Sequence, residues 1–266
     1  LEWYRDAGVD AVVSEHAIDW REGRRPQGVE SLSSWRSAPA PVGRRVVETR
    51  PVAPPVARQK SPTPSPEAVG AAASPEAAAA TSLDELRERL AAFEGCGLKA
   101  TAKNLCLYRG AERARVMVIG EAPGRDEDIQ GKPFVGRAGR LLDLMLGAIG
   151  LSEETVHITN VVYWRPPGNR TPTPHEVEAC RPFLERQIEL VGPELVLTVG
   201  GPAAKAILGV TAGIMKTRGQ WRDAVFGAQA VRGMPTLHPA FLLRTPAAKR
   251  LAWRDLLALK AALEAQ

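Results

Sequence analysis

Four short apolar runs, RVMVI (115–119), VHITNVVYW (156–164), LVLTVG (195–200) and MPTLH (234–238), are each followed by a stretch with helical spacing. This alternation constrains the fold more than any other feature of the chain. In RLLDLMLGAIG (140–150), for example, Leu141, Leu142, Met145 and Ile149 recur on one helical face. Strands that are apolar on both faces need cover on both sides, and strand–helix alternation generates parallel neighbours. The expectation is an α/β fold: a three-layer α/β/α sandwich with a central parallel sheet of about four strands, spanning residues 82–266.

Local signals set the helix boundaries. Ser82, with Glu85 three residues later, caps DELRERLAAF. Thr173 as N-cap, Pro174 at the first helical position and Glu176 open a helix running to about Val191. Thr245 and Pro246 open the closing helix, 246–265.

The region before residue 82 reads differently. Residues 37–81 are dominated by Pro, Ala, Ser and Val, which remove backbone donors and bury too little to offset ordering, so an extended, disordered linker is expected there. Residues 1–36 are expected to hold one short helix within 1–20, with Trp3, Val9 and Val12 on one face as a docking element. The missing initiator Met points to a true start upstream of Leu1, and no signal peptide is read in the mixed-charge opening. No run of about 18 apolar residues occurs, so no membrane partner is expected. Three cysteines (Cys96, Cys106, Cys180) make no disulfide framework, and a cytoplasmic setting is the default. The net charge of +5 lies wholly in residues 81–266, since 1–80 are balanced. That charge gives weak support for a polyanionic partner.

The stretch GEAPGRDEDIQGKPFVGRAG (Gly120 to Gly139) joins the first strand to its helix and holds five glycines and four carboxylates. A connection of this length inside a compact unit is usually functional. In an open parallel sheet, ligands bind beyond the carboxyl ends of the strands. Those ends carry Glu121, Asn160, the pair Gly200-Gly201, and His238. Each has an ordinary alternative. Glu121 can cap a turn, His238 can be structural, Phe134 can staple the loop to the core, and the run Asp126, Glu127 and Asp128 reads as a solvated face. Asn160 is harder to dismiss, because a carboxamide in an apolar strand needs a partner, either backbone or ligand. Neither common phosphate-binding glycine pattern is present, and strand-end acids repel phosphate unless a metal intervenes.

GEAPG-x-x-E-D-x-x-G-x-P-F-V-G-x-A-G, the following T-N, R-P-P-G-N-R-T-P and HPAFLLR together resemble the family 4 uracil-DNA glycosylases over about residues 84–264, in the right order. The resemblance implies base-excision repair: flipping uracil out of DNA and hydrolysing its N-glycosidic bond to leave an abasic site. It implies that Asn160 reads uracil O4 and N3–H, that Phe134 stacks on the ring, that backbone around Gly120 and Ala122 fixes another polar edge, and that His238 bonds O2 as the base departs. Cytosine presents the reverse donor–acceptor pattern and would leave buried groups unpaired. The sugar becomes oxocarbenium-like, so a carboxylate, Glu121 or Glu127, is expected to stabilise it and position water. Glu127 is narrowly preferred, with Glu121 sharing that role or bracing the loop. Arg165, Asn169, Arg170 and Arg244 are candidate phosphate contacts, and Gly200 and Gly201 would allow close backbone approach. Leu243 is the candidate wedge for the vacated stack, with ordinary core as its alternative.

Many members of that family hold a [4Fe–4S] cluster on four cysteines. Here Cys96 and Cys180 match two of those positions, while Phe93 and Trp164 stand at the others. Cys106 offers at most one replacement, so no cluster is expected, with a [4Fe–4S] cluster on an incomplete ligand set as the alternative. The implied partner is uracil-containing DNA, with a monomeric enzyme and the Pro-rich arm available to a repair or replication partner. Competing readings are a damaged-DNA binding or scaffolding protein with weak turnover, and a glycosylase for thymine mismatches or hypoxanthine.

Overall fold

A computed structural model describes residues 65–265; the helix expected in 1–20 and most of the expected linker lie outside the described residues. The elements in order are α1 (Pro66–Ala78), α2 (Leu83–Ala92), β1 (Arg109–Gly110), β2 (Val116–Gly120), α3 (Arg125–Gln130), α4 (Arg137–Gly147), β3 (Val156–Asn160), α5 (Pro174–Val191) and β4 (Leu195–Val199). They continue with α6 (Gly201–Leu208), α7 (Ile214–Thr217), β5 (Arg222–Phe226), β6 (Gln229–Thr236), α8 (Pro239–Arg244) and α9 (Lys249–Glu264).

The sheet order is β1-β3-β2-β4-β6-β5. Its four central strands are parallel, as expected, and an antiparallel strand is added at each edge. The sheet is therefore mixed and six-stranded. Both additions lack the apolar run that marks a buried strand: β1 is two residues long, and β5 is largely exposed along RDAVF. β5 joins β6 through a hairpin turn at Gly227, so β6 starts at Gln229, earlier than the expected 234.

Side-chain alternation along the strands feeds two cores. Met117 and Ile119 of β2 pack with α1, α2 and α5 on one face, while Val116 and Val118 pack with α4 and α9 on the other. Helices on both faces of the sheet make the three-layer sandwich. Thr173 and Glu176 form the expected reciprocal cap of α5. At α2 the cap is shared differently: Ser82 accepts from the Glu85 amide at 3.2 Å, but the Glu85 carboxylate reaches back to Thr81, not to Ser82.

The expected linker over 37–81 also needs correction. Residues 66–78 are helical, and Ala73, Ala77 and Ala80 are fully or almost fully buried in the α5-side core. Alanine is the best helix former and lets two helix backbones approach closely, so a segment poor in large apolar residues still docks. The ordered part of the described chain thus begins before residue 82.

Candidate active site

The carboxyl ends of β2, β3, β4 and β6 open onto a cleft of about 620 Å³. Gly120 and Asn160 are paired neighbours in parallel register at its floor. A Cβ on Gly120 would lie 2.4 Å from Asn160 Oδ1 and 2.4 Å from the Phe134 ring, so only glycine lets these two groups close over the end of β2. Gly139 has the same function for the loop backbone, since a Cβ there would lie 1.6 Å from the Phe134 carbonyl oxygen. Between them they hold Phe134 in a left-handed conformation (φ 55°), 5% exposed. A non-glycine residue in that region carries strain on the order of 1–3 kcal/mol, which packing around it must offset.

Asn160 is 1% exposed, and its Oδ1 is one of three buried side-chain N or O atoms without a hydrogen-bond partner among the described residues. A buried polar atom left without a partner costs about 1–3 kcal/mol. His238 faces the same cleft, its ring 5.8 Å from that of Phe134 with 28° between the planes. The Ala240 amide donates to His238 Nδ1 at 3.1 Å, which leaves the ring proton on Nε2. Burial first, and the Arg244 guanidinium second, push the imidazole pKa down to about 4. The ring is therefore a neutral donor at ordinary pH.

The carboxylates divide by partner. Glu127 is committed to the loop: its two oxygens accept from the Gly124 amide at 3.1 Å and the Gly136 amide at 2.9 Å. Asp128 is 4% exposed and accepts from the amides of Lys103 (2.7 Å) and Asn104 (3.2 Å). The solvated face expected for residues 126–128 is instead the short helix α3, with two of its three acids holding backbone. Glu121 lines the cleft and is half-buried, and none of the side-chain hydrogen bonds or ion pairs among the described residues involves its carboxylate. This geometry runs against the narrow preference for Glu127 as the water-positioning acid.

Around the mouth, Ala122, Asn169, Arg170, Gly200, Gly201 and Arg244 line the cleft as the sequence suggested. Arg165 reaches it only through Asn169, donating to its Oδ1 at 2.7 Å. Arg170 is already paired with Glu176 through two hydrogen bonds (2.8 and 2.6 Å), so its charge is partly neutralised. Leu243 is 38% exposed on α8, which removes the core alternative, although it stands beside the cleft and not in its wall. Sequence reading missed Ile214, Met215 and Phe241, which also line the cleft. Nothing in GIMKTRG marks that turn as part of a site.

A profile of the uracil DNA glycosylase superfamily matches residues 107–257, more than half of the chain. The chain belongs to the uracil DNA glycosylase superfamily. It is 40% identical to a type-4 uracil-DNA glycosylase of Archaeoglobus fulgidus, over 62% of this chain and 85% of that protein. It is also 40% identical to a type-4 uracil-DNA glycosylase of Thermotoga maritima, over 61% of this chain and 83% of the relative. A type-4 enzyme of Saccharolobus solfataricus is 38% identical over 69% and 88% of the two chains.

Of the four positions at which iron–sulfur members of the resembled family carry cysteines, two hold cysteine here and two hold Phe93 and Trp164. Cys96 and Cys180 are buried, with their sulfurs 3.9 Å apart. Phe93 packs its ring on Phe183 (centroids 5.1 Å apart), and the 3% exposed Trp164 meets Tyr163 edge-on at 6.5 Å. Cys106 donates to the Glu127 carbonyl at 3.2 Å, and burial pushes its thiol up to about 12. No group of three His, Cys, Asp or Glu suited to a metal ion gathers among the described residues. Two thiolates do not hold a [4Fe–4S] cluster in the usual way, so the residues present do not fit that group.

Proposed function

We propose that this glycosylase removes uracil from DNA with the Asn160 carboxamide as its reader and Glu121 as its water-guiding carboxylate. The observation that carries the reading is the orphaned Asn160 Oδ1 beside Phe134, whose backbone is held left-handed. In this reading Oδ1 accepts from uracil N3–H, Nδ2 donates to O4, and Phe134 lies on the base. Cytosine offers an acceptor at N3 and a donor at C4, leaving buried groups unpaired, which is the most effective form of rejection. Backbone from Gly120 to Gly124, including Ala122, lines the remaining edge.

Chemistry then follows from charge. As the glycosidic bond lengthens, negative charge builds on uracil O2 and positive charge on the sugar. The neutral His238 donates from Nε2 to O2, and a preorganised donor of this kind lowers the barrier because it costs no reorganisation during the reaction. A neutral imidazole also spares the site a buried cation beside the developing oxocarbenium ion. Glu121 faces that cation and orients the attacking water, while Glu127, with both oxygens on loop amides, shapes the loop as a positioning residue.

Arg165, Asn169, Arg170 and Arg244 hold phosphates in this account, with Gly200 and Gly201 admitting the backbone and Leu243 filling the vacated stack. Loss of a phosphate contact weakens binding and its salt dependence without changing base choice. The enzyme is proposed to act as a cytosolic monomer without a [4Fe–4S] cluster, its Pro-rich arm open to a repair or replication partner. No helix among the described residues is long and apolar enough to cross a membrane.

The test is release of base from single- and double-stranded oligonucleotides carrying uracil, thymine or hypoxanthine, with iron and sulfide assayed on the same preparation. Uracil-only release and no stoichiometric iron or sulfide are expected. Absence of uracil release overturns the activity, and stoichiometric iron and sulfide overturn the cluster-free proposal.

A further inference from the structure

Met215 is 56% exposed, and of the large hydrophobic side chains exposed among the described residues it alone lines the cleft. It comes from a different element than Leu243, the turn of α7 between α6 and β5. An isolated exposed methionine means little on a protein surface. Here it stands at the mouth of the site on a turn that the fold holds rigidly.

Four sets of contacts fix that turn. Ile214, next to Met215, is partly buried in the α9-side core, and its Cβ lies 3.9 Å from where a Cβ on Gly201 would be, so the turn rests on the start of α6. The amides of Lys216 and Thr217 close the turn onto the Gly213 carbonyl at 2.9 and 3.3 Å. Immediately after it, the Arg218 guanidinium donates to both oxygens of Asp255 and to the Leu251 carbonyl. Asp255, 2% exposed, also accepts from the Thr236 hydroxyl at 2.7 Å, and the Gly219 amide donates to the Pro235 carbonyl at 2.8 Å. The buried charge pair is thus satisfied from three elements, and it ties the turn to α9 and β6. A loop fixed this firmly presents Met215 at a set position, while the unbranched thioether still adapts to whatever it meets.

We infer that Met215 is a second apolar contact to the DNA, packing against the unstacked strand beside the extruded nucleotide. The inference rests on the uracil-excision reading, and it assigns the mouth two apolar contacts, Leu243 and Met215. Extruding a base costs unstacking and unpairing energy that is largest in a duplex and least in a strand already single. A side chain that replaces lost stacking therefore matters most on duplex substrate.

The experiment compares wild type, Met215→Ala and Met215→Leu on the same uracil sequence as single strand and as duplex. It reads single-turnover excision and the fluorescence of a 2-aminopurine placed beside the uracil. Met215→Ala is expected to lose about tenfold in rate on duplex, as removal of an apolar side chain that becomes buried against the DNA predicts, and under about twofold on single strand. It should also lose most of the 2-aminopurine rise on duplex. Met215→Leu should restore both, and the thermal midpoint of all three proteins should be unchanged. Equal losses on the two substrates, or no loss on duplex, would overturn the inference. A wild type that releases uracil from neither substrate overturns the uracil reading, and Met215 falls with it.

Discussion

The cleft floor and the cysteine corner both adjoin the end of β3, yet they are built on opposite terms. At the floor, Asn160 ends the strand with an orphaned acceptor, and Phe134 is held left-handed by two glycines that admit no Cβ. Each feature is unfavourable taken by itself. At the corner, Trp164 follows four residues later, nearly fully buried, while Phe93 packs on Phe183 and the two remaining thiols lie against each other. These contacts are favourable without any added group. An orphaned acceptor and a left-handed aromatic residue lining one cleft point to a ligand there, whereas a corner filled by aromatic rings needs none. On that difference, changes at the corner should alter stability, and changes at the floor should alter chemistry.

The largest effect is expected at the corner. Trp164→Ala should cost about 3–5 kcal/mol of unfolding free energy by denaturant titration, while the excision rate per folded molecule stays within about twofold. A large rate loss in the folded fraction would break the contrast. At the cleft, Glu121→Gln should slow single-turnover excision roughly 10²–10³-fold with an unchanged thermal midpoint, a magnitude typical of removing one preorganised charge-stabilising group. Glu127→Gln should slow it less, about tenfold, and lower stability by about 1–3 kcal/mol, because one of two loop amides loses its acceptor. Reversal of that order would return the water-guiding role to Glu127. The smallest effect concerns pH. His238, held near pKa 4 by burial and by Arg244, stays neutral as pH rises from about 5 to 8, so no imidazole inflection should appear there in the rate profile. An acid limb centred near 6.5 and abolished by His238→Asn would show that the ring titrates normally.

Much of this was legible in the residues. The four central strands announced themselves because parallel strands buried on both faces are continuous apolar runs, and the cap of α5 was written in Thr173, Pro174 and Glu176. The edge strands were not legible: β1 is too short for a pattern and β5 carries polar residues to solvent. α1 was hidden by its composition, since alanines that bury well against a neighbouring helix look the same in sequence as alanines in a linker. In the cleft, Asn160 stood out because a carboxamide is out of place in an apolar strand, whereas Phe134 and His238 had ordinary alternatives and were singled out by the resemblance to the family 4 glycosylases; all three line the cleft. The division between Glu121 and Glu127 was not legible, because it depends on which carboxylate meets the amides of Gly124 and Gly136, and that contact spans nine residues of loop. Met215 gave no signal at all, since the turn that presents it is fixed by the ion pair of Arg218 with Asp255 on α9, 37 residues further along the chain.

The central claim is that the orphaned oxygen of Asn160 is kept for uracil. Single-turnover excision of uracil from a single-stranded oligonucleotide, where flipping costs least, isolates it. Asn160→Ala should lose roughly 10³-fold or more in rate while its unfolding free energy holds or rises, because the substitution removes a buried group that had no partner. A variant that cuts uracil at the wild-type rate, or one that merely unfolds, would contradict the account.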